Sequence, residues 1–186
     1  MKLGFALCGS FCNHGNVLKI YEQLSEKHEL IPILSERAAE YDTRFGTAEQ
    51  LIERVESLAG RRAIRTIVEA EPLGPSHAMD ALVIAPCTGN TLAKLAAGMT
   101  DGVVPMAAKS HLRNGRPVII ALATNDGLSA SAPSIAALLN RKCYYFVPFG
   151  QDDAEKKPNS LVADFAQLEA TLEAACAGRQ IQPILL

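Results

Sequence analysis

Short, unbroken apolar runs alternate along the chain with segments in which apolar residues recur every three or four positions. Lys2 to Cys8 is such a run and ends at Gly9-Ser10, the pattern of a strand buried on both faces and followed by a turn. Val17, Ile20, Tyr21 and Leu24 then mark one helix face, with Lys19, Glu22, Gln23 and Glu26 on the other. Leu30 to Leu34 reads as the next strand, and Pro32 within it argues for an edge position. Thr47 and Gln50 form a capping-box pair ahead of the stripe Leu51, Ile52, Val55, Leu58, and Gly60 stops that helix. Ala63 to Ala70 fits a helix or a strand equally, and Glu71 to Pro75 is turn chemistry. Strands are expected again at Ala81 to Ala85, Pro117 to Ala123 and Cys143 to Val147. Helices are expected through Leu92 to Met99, Met106 to Leu112, Ile135 to Leu139 and Val162 to Leu172.

This alternation predicts an α/β fold, a doubly wound three-layer sandwich with a mostly parallel sheet and right-handed crossovers. Ligands of such sheets bind beyond the carboxyl ends of the strands, so the turns after residues 8, 34, 85, 123 and 147 are where chemistry is expected. At 186 residues the chain is read as a single domain, 1–186.

Composition narrows the function classes. Apolar residues make up 48% and charged residues 20%, which is a folding composition. A formal charge of −2 sets up no field for a polyanion, so no nucleic-acid partner is expected. No apolar run approaches the roughly 20 residues of a bilayer span, and the start of the chain lacks a signal-peptide pattern, so a cytoplasmic protein away from membranes is expected. The five cysteines are scattered, without a Cys-x-x-Cys pair, and no histidine pair has ligand spacing. Neither a disulfide framework nor a metal site is expected.

Three strand-end loops carry the candidate chemistry. Gly9, Ser10 and Phe11 open the first helix, and Cys87, Thr88, Gly89, Asn90 and Thr91 open another. Thr124 and Asn125, with Asp126, follow the next clear strand. Backbone N–H groups and small hydroxyls at helix N-termini suit a phosphate. The first loop is neither a dinucleotide fingerprint nor a P-loop. Cys87 is read as a small spacer against a ligand, because no adjacent base would activate it. Arg44, in Tyr41 to Gly46, offers a planar fork to a carboxylate or phosphate, or is a solvated loop arginine. The polar segment Gly150 to Ser160 is a lid or a plain solvated loop.

Ala85 to Asp101, with Pro86, Thr88, Asn90, Thr91, Lys94, Ala96, Gly98 and Asp101 in register, resembles the signature of the FMN-binding, cysteine-decarboxylase-like flavoproteins. Thr43 to Gly46, Ala70 to Pro75, Met106 to Lys109, Pro148 to Asp153 and Lys156 to Ser160 are similar to its dipicolinate synthase B branch. The resemblance implies a flavodoxin-like or Rossmann-like fold in trimers or trimer-built assemblies, with FMN held between protomers. It implies that Gly9, Ser10 and Phe11 line the first FMN loop, that Ser35 sits after the second strand, and that Thr88, Asn90 and Thr91 contact phosphate or ring. Three departures weigh against decarboxylation: Pro72 stands where the family histidine is expected, Thr124-Asn125-Asp126 replaces a Pro-x-Met-Asn segment, and the Gly150 to Ser160 loop replaces a Cys-Gly lid.

The leading functional expectation is therefore an oxidoreductase component, active with an A subunit that carries NAD(P), in the oxidation of dihydrodipicolinate in the mother cell of a sporulating bacterium. A small dicarboxylate substrate requires cations, and Arg44, Lys109, Lys156 and Lys157, with Asn159 beside them, are the candidates. An FMN-dependent decarboxylase, a prenyl-flavin-type transferase and a non-catalytic assembly component are the alternatives.

Overall fold

The computed structural model describes residues 1–186. Strand β1 (Lys2–Leu7) leads through a tight loop into α1 (His14–Ser25) and returns as β2 (Glu29–Leu34), parallel to β1 with Leu7 opposite Leu34. Each strand is exposed only at its first residue, as the apolar runs required. Phe5 meets Tyr21 edge-on at 4.9 Å, and the buried Tyr21 hydroxyl donates to Val55 O at 3.1 Å. That bond satisfies a polar group that would otherwise cost about 1–3 kcal/mol to bury.

A five-residue helix, α2 (Glu36–Glu40), follows β2 and is capped by Ser35 Oγ, which accepts from Ala38 N–H at 3.3 Å. The capping box at Thr47 and Gln50 starts α3 (Ala48–Ala59), and Gly60 ends it at φ 63°, where a side chain would be strained. The ambiguous stretch divides in two. Ile64 bridges the outer side of β2, where Pro32 O accepts from Ile64 N–H at 2.8 Å and Ile64 O from Leu34 N–H at 2.9 Å. The edge position of β2, and the tolerance of Pro32 there, follow from this single covering bridge. A second capping box, Thr66 with Glu69, then opens α4 (Ile67–Ala70).

Strand β3 (Ala81–Cys87) is buried throughout and passes into α5 (Gly89–Ala97), followed closely by α6 (Val103–Leu112). β4 (Val118–Thr124), α7 (Ala132–Leu139) and a short β5 (Tyr144–Phe146) repeat the unit. The segment read as a polar loop is instead a hairpin of β6 (Phe149–Asp153) and β7 (Lys157–Ala163), and Val162 lies in it rather than in the closing helix α8 (Leu168–Cys176). Asp153 makes its turn by accepting from the N–H groups of Glu155 (3.2 Å) and Lys156 (3.0 Å).

The sheet order is β2-β1-β3-β4-β7-β6. β5 lies parallel to the first half of β4, and β7 antiparallel to its end. From β1 the chain turns one way to β2 and the other way to β3. The carboxyl ends of β1 and β3 therefore flank the switch point where doubly wound sheets hold ligands. No helix is long and apolar enough to cross a membrane.

Candidate functional site

The loop after β1 is fixed from beneath. Ser10 N–H donates to Cys8 O at 2.9 Å, and Asn13 Nδ2 donates to Ser10 Oγ at 2.9 Å. His14 Nε2 lies 2.7 Å from the same Cys8 carbonyl, so that nitrogen carries the hydrogen, and burial lowers the pKa of the ring. Phe11 packs on the His14 ring at 5.3 Å. A Cβ on Gly9 would lie 3.3 Å from Arg37 Cβ, so the loop runs close against α2.

The loop after β3 is tied to the first by hydroxyls. Thr88 caps α5, accepting from Thr91 N–H at 3.3 Å and donating to Thr91 Oγ1 at 3.1 Å. Thr91 in turn donates to Cys8 Sγ at 3.3 Å. Burial pushes the Cys8 thiol up to about 11, so it serves here as a neutral acceptor. In the first turn of α5 the N–H groups of Gly89 and Asn90 have no intrahelical acceptor, which leaves an electropositive helix end at the switch point. Cys87 requires a correction. β3 extends through it, so the side chain is wholly buried with its thiol toward Thr88 O (3.8 Å), behind the loop rather than facing a ligand.

The loop after β4 completes the wall. Asp126 Oδ1 accepts from Ser131 Oγ at 2.7 Å and also from the Thr124 hydroxyl. These two bonds hold the carboxyl below its ordinary pKa.

Three adjoining clefts result. In the first, about 330 Å³, Gly9, Gly89 and Ala123 bring backbone close to the cavity, Phe11 and Phe45 supply aromatic faces, and Ser10, Thr124 and Asn125 supply uncharged polar groups. Its one titratable side chain is Cys12. In the second, about 380 Å³, Ser35, Thr88, Asn90 and Thr91 meet Arg37 and Lys94. Lys94 is paired with Asp101 at 3.0 Å, and Glu36 caps α6 by accepting from Val103 N–H at 2.9 Å. Arg37 makes no ion pair. The third cleft, about 280 Å³, shares Ser10, Thr124 and Asn125 with the first and adds Ser160, Asp152 and Lys157 from the hairpin. No histidine lines any of the three, and Pro72 lies in a separate turn whose carbonyl accepts from Ser76.

The structure thus brings together Gly9, Ser10, Phe11, Thr88, Gly89, Thr124 and Asn125, with Ser35, Asn90 and Thr91 one cleft away. The proposed cations do not all converge. Lys157 reaches the third cleft but is paired with Asp152 at 2.5 Å. Lys156 points to solvent from the hairpin turn, 84% exposed. Asn159 is exposed on β7, its carbonyl accepting from Leu128 N–H. Lys109 lies on α6 in a different groove altogether. Arg44 is exposed, without an ion pair, and stacks 4.8 Å from the centroid of Phe45, which does line the first cleft. Arg37 and Phe45 were not singled out from sequence. A cation two residues beyond the strand-end Ser35 was the signal for the first, and the aromatic beside Arg44 for the second.

The arrangement offers a cleft lined by two aromatic side chains, Phe11 and Phe45, beside a hydroxyl-rich helix end. Comparison with known proteins agrees with that chemistry. The flavoprotein family model matches residues 1–140. The dipicolinate synthase B subunit of Bacillus subtilis (strain 168) is 44% identical over 186 residues, spanning 100% of this chain and 93% of that one. The crystal structure of the dipicolinate synthase B subunit from Bacillus halodurans C superposes with a TM-score of 0.91 at 41% identity, over 100% of this chain and 95% of that one. The FMN-dependent cysteine decarboxylase SpaF, at 20% identity over 95% of this chain and 97% of its own, shares the fold with a TM-score of 0.71. The chain belongs to the flavoprotein family, where it is similar along its whole length to the B subunit of dipicolinate synthase.

Proposed function

We propose that this chain is the flavoprotein-type component of a dipicolinate synthase and takes part in oxidising dihydrodipicolinate to dipicolinate with an NAD(P)-binding A subunit. The observation that carries the reading is the first cleft, whose walls are Phe11 and Phe45 and whose polar groups are uncharged hydroxyls and an amide. Such a slot suits a reaction that removes a hydride equivalent from a ring already close to aromatic, and it lacks the histidine a decarboxylase of this fold is expected to use.

The residues fit FMN. Phe11 and Phe45 offer faces to a planar ring, and Ser10 and Asn125 offer donors and acceptors to its edge. Ser35, Thr88, the first turn of α5 and Arg37 offer what a phosphate needs. FMN, when bound, supplies an acceptor for a hydride equivalent, as the nicotinamide of the partner also can.

Around it, this chain's own residues bind and orient. Arg44 takes one substrate carboxylate in a bidentate fork. Lys157 takes the other in the third cleft once it leaves Asp152. The oxidation releases a proton as well as a hydride equivalent, and solvent at the open mouth of the first cleft accepts it. A trimer-built assembly in the mother-cell cytoplasm belongs to the same reading and rests on resemblance.

The test is reconstitution from the two purified proteins, with dihydrodipicolinate and NAD(P)⁺ supplied. Dipicolinate formation that requires both chains supports the reading. Equal rates from the A subunit alone overturn it.

A further inference from the structure

Lys109 stands apart from the three clefts, in a groove of about 620 Å³ between α5, α6 and the turn leading into β5. The floor of this groove is apolar and buried or half-buried: Leu95, Pro105, Leu112 and Tyr144. Its exposed rim carries Lys109 and Arg113, one helical turn apart at the end of α6, and Arg141 and Lys142 from the far side. Arg141 is committed to the end of α5, donating to Leu95 O at 3.1 Å and Ala96 O at 2.6 Å. Lys109, Arg113 and Lys142 make no ion pair and no side-chain hydrogen bond, and no carboxylate lines the groove. Met99, 50% exposed, stands at its mouth with an adaptable apolar side chain. On a chain whose formal charge is −2, this concentration of cations is local.

We infer that this groove is a docking surface for an acidic, amphipathic segment of a partner protein, and that within the function proposed above the partner is the A subunit. An apolar floor between two cationic rims matches a helix whose apolar stripe is flanked by Asp and Glu on both sides. The floor gives affinity through burial of the stripe, and the rims select an acidic sequence and speed its encounter. The groove shares only Pro105, on α6, with the second cleft and no residue with the first or third, so docking here leaves the aromatic cleft open.

The experiment uses calorimetry, at low and high salt, to measure binding of the purified full chain to the purified A subunit. The variants are Lys109→Glu with Lys142→Glu, the milder Lys109→Gln with Lys142→Gln, and Met99→Asp. The expected result is wild-type binding that weakens with salt, a loss of at least about tenfold on double charge reversal, a smaller loss on neutralisation, and unchanged FMN affinity and melting temperature. Equal affinity of wild type and charge-reversed chain for the A subunit overturns the assignment. So does a change in the chain's own sedimenting mass on reversal, because the groove would then join copies of this chain. If the wild-type chain does not bind the A subunit at all, the functional reading falls and takes this inference with it.

Discussion

Gly89, the first residue of α5, lies directly against the carboxylate of Asp126, so that a Cβ at Gly89 would stand 3.0 Å from Asp126 Oδ1 and 2.5 Å from Ser131 Oγ. Two strand-end loops are therefore in contact through the absence of one side chain. Gly89→Ala is expected to push the Thr124–Asp126–Ser131 cluster outward. Overpacking of this kind costs about 1–3 kcal/mol. FMN affinity is expected to fall by about tenfold, the equivalent of about 1.4 kcal/mol of binding. Thermal melting and FMN titration of the same sample separate the two effects.

Protonation tests the buried histidine on α6. His111 is wholly buried, with Nε2 3.1 Å from Pro117 O and Nδ1 without a partner, and burial lowers its pKa from 6.5 to about 4. The fold holds the ring neutral while the unfolded chain binds a proton below pH 6.5. Stability is thus complete above that pH and declines as pH falls toward 4, by about 3 kcal/mol in all. His14, also lowered by burial, acts in the same direction. Asp126, whose pKa is depressed, removes further stability only as pH falls below its ordinary 3.8. Urea denaturation across pH 8 to 4 is expected to show this decline, and His111→Leu to flatten it.

Thiol labelling reads the geometry of the first loop. Cys12 is exposed and lines the first and third clefts, whereas Cys8 and Cys87 are buried with raised pKa values. Alkylation of the native chain at neutral pH is expected at Cys12 and Cys176 and not at Cys8 or Cys87. Saturating FMN is expected to slow labelling of Cys12 alone, as peptide mass analysis would show. Labelling of Cys87 in the native chain would contradict its placement in the sheet.

Arg44 carries the substrate half of the proposal. Arg44→Ala is expected to raise the KM for dihydrodipicolinate in the reconstituted synthase by about tenfold, the scale of one charge-assisted pair, with FMN affinity little changed. Lys156→Ala is expected to leave KM within about twofold, because a surface ion pair contributes little. Unchanged KM in Arg44→Ala would remove that residue from the site.

What could be seen in the sequence follows physical lines. The strand-end loops were legible because buried strands leave unbroken apolar runs, and Thr88 and Thr47 announce helix starts by capping chemistry. The hairpin was not, because Gln151, Asp152, Lys157, Pro158 and Asn159 are all exposed, and a ribbon wet on both faces shows no alternation. α2, too short for periodicity, concealed Arg37. Cys87 was misplaced because β3 runs two residues past the apolar stretch that defined it. Lys109 was grouped with Arg44 by charge alone, and only the packing of α6 against α5 shows that it faces another groove.

The slot between the loops after β1, β3 and β4 is assigned here to a flavin. The most direct test is titration of the purified chain with FMN, followed by visible absorption and flavin fluorescence, alongside Thr88→Val, which removes the cap shared by both clefts. One FMN bound per chain, with affinity weakened in Thr88→Val, is the expected result. Absence of FMN binding at micromolar concentration would contradict the claim and leave the hydride acceptor to the partner protein.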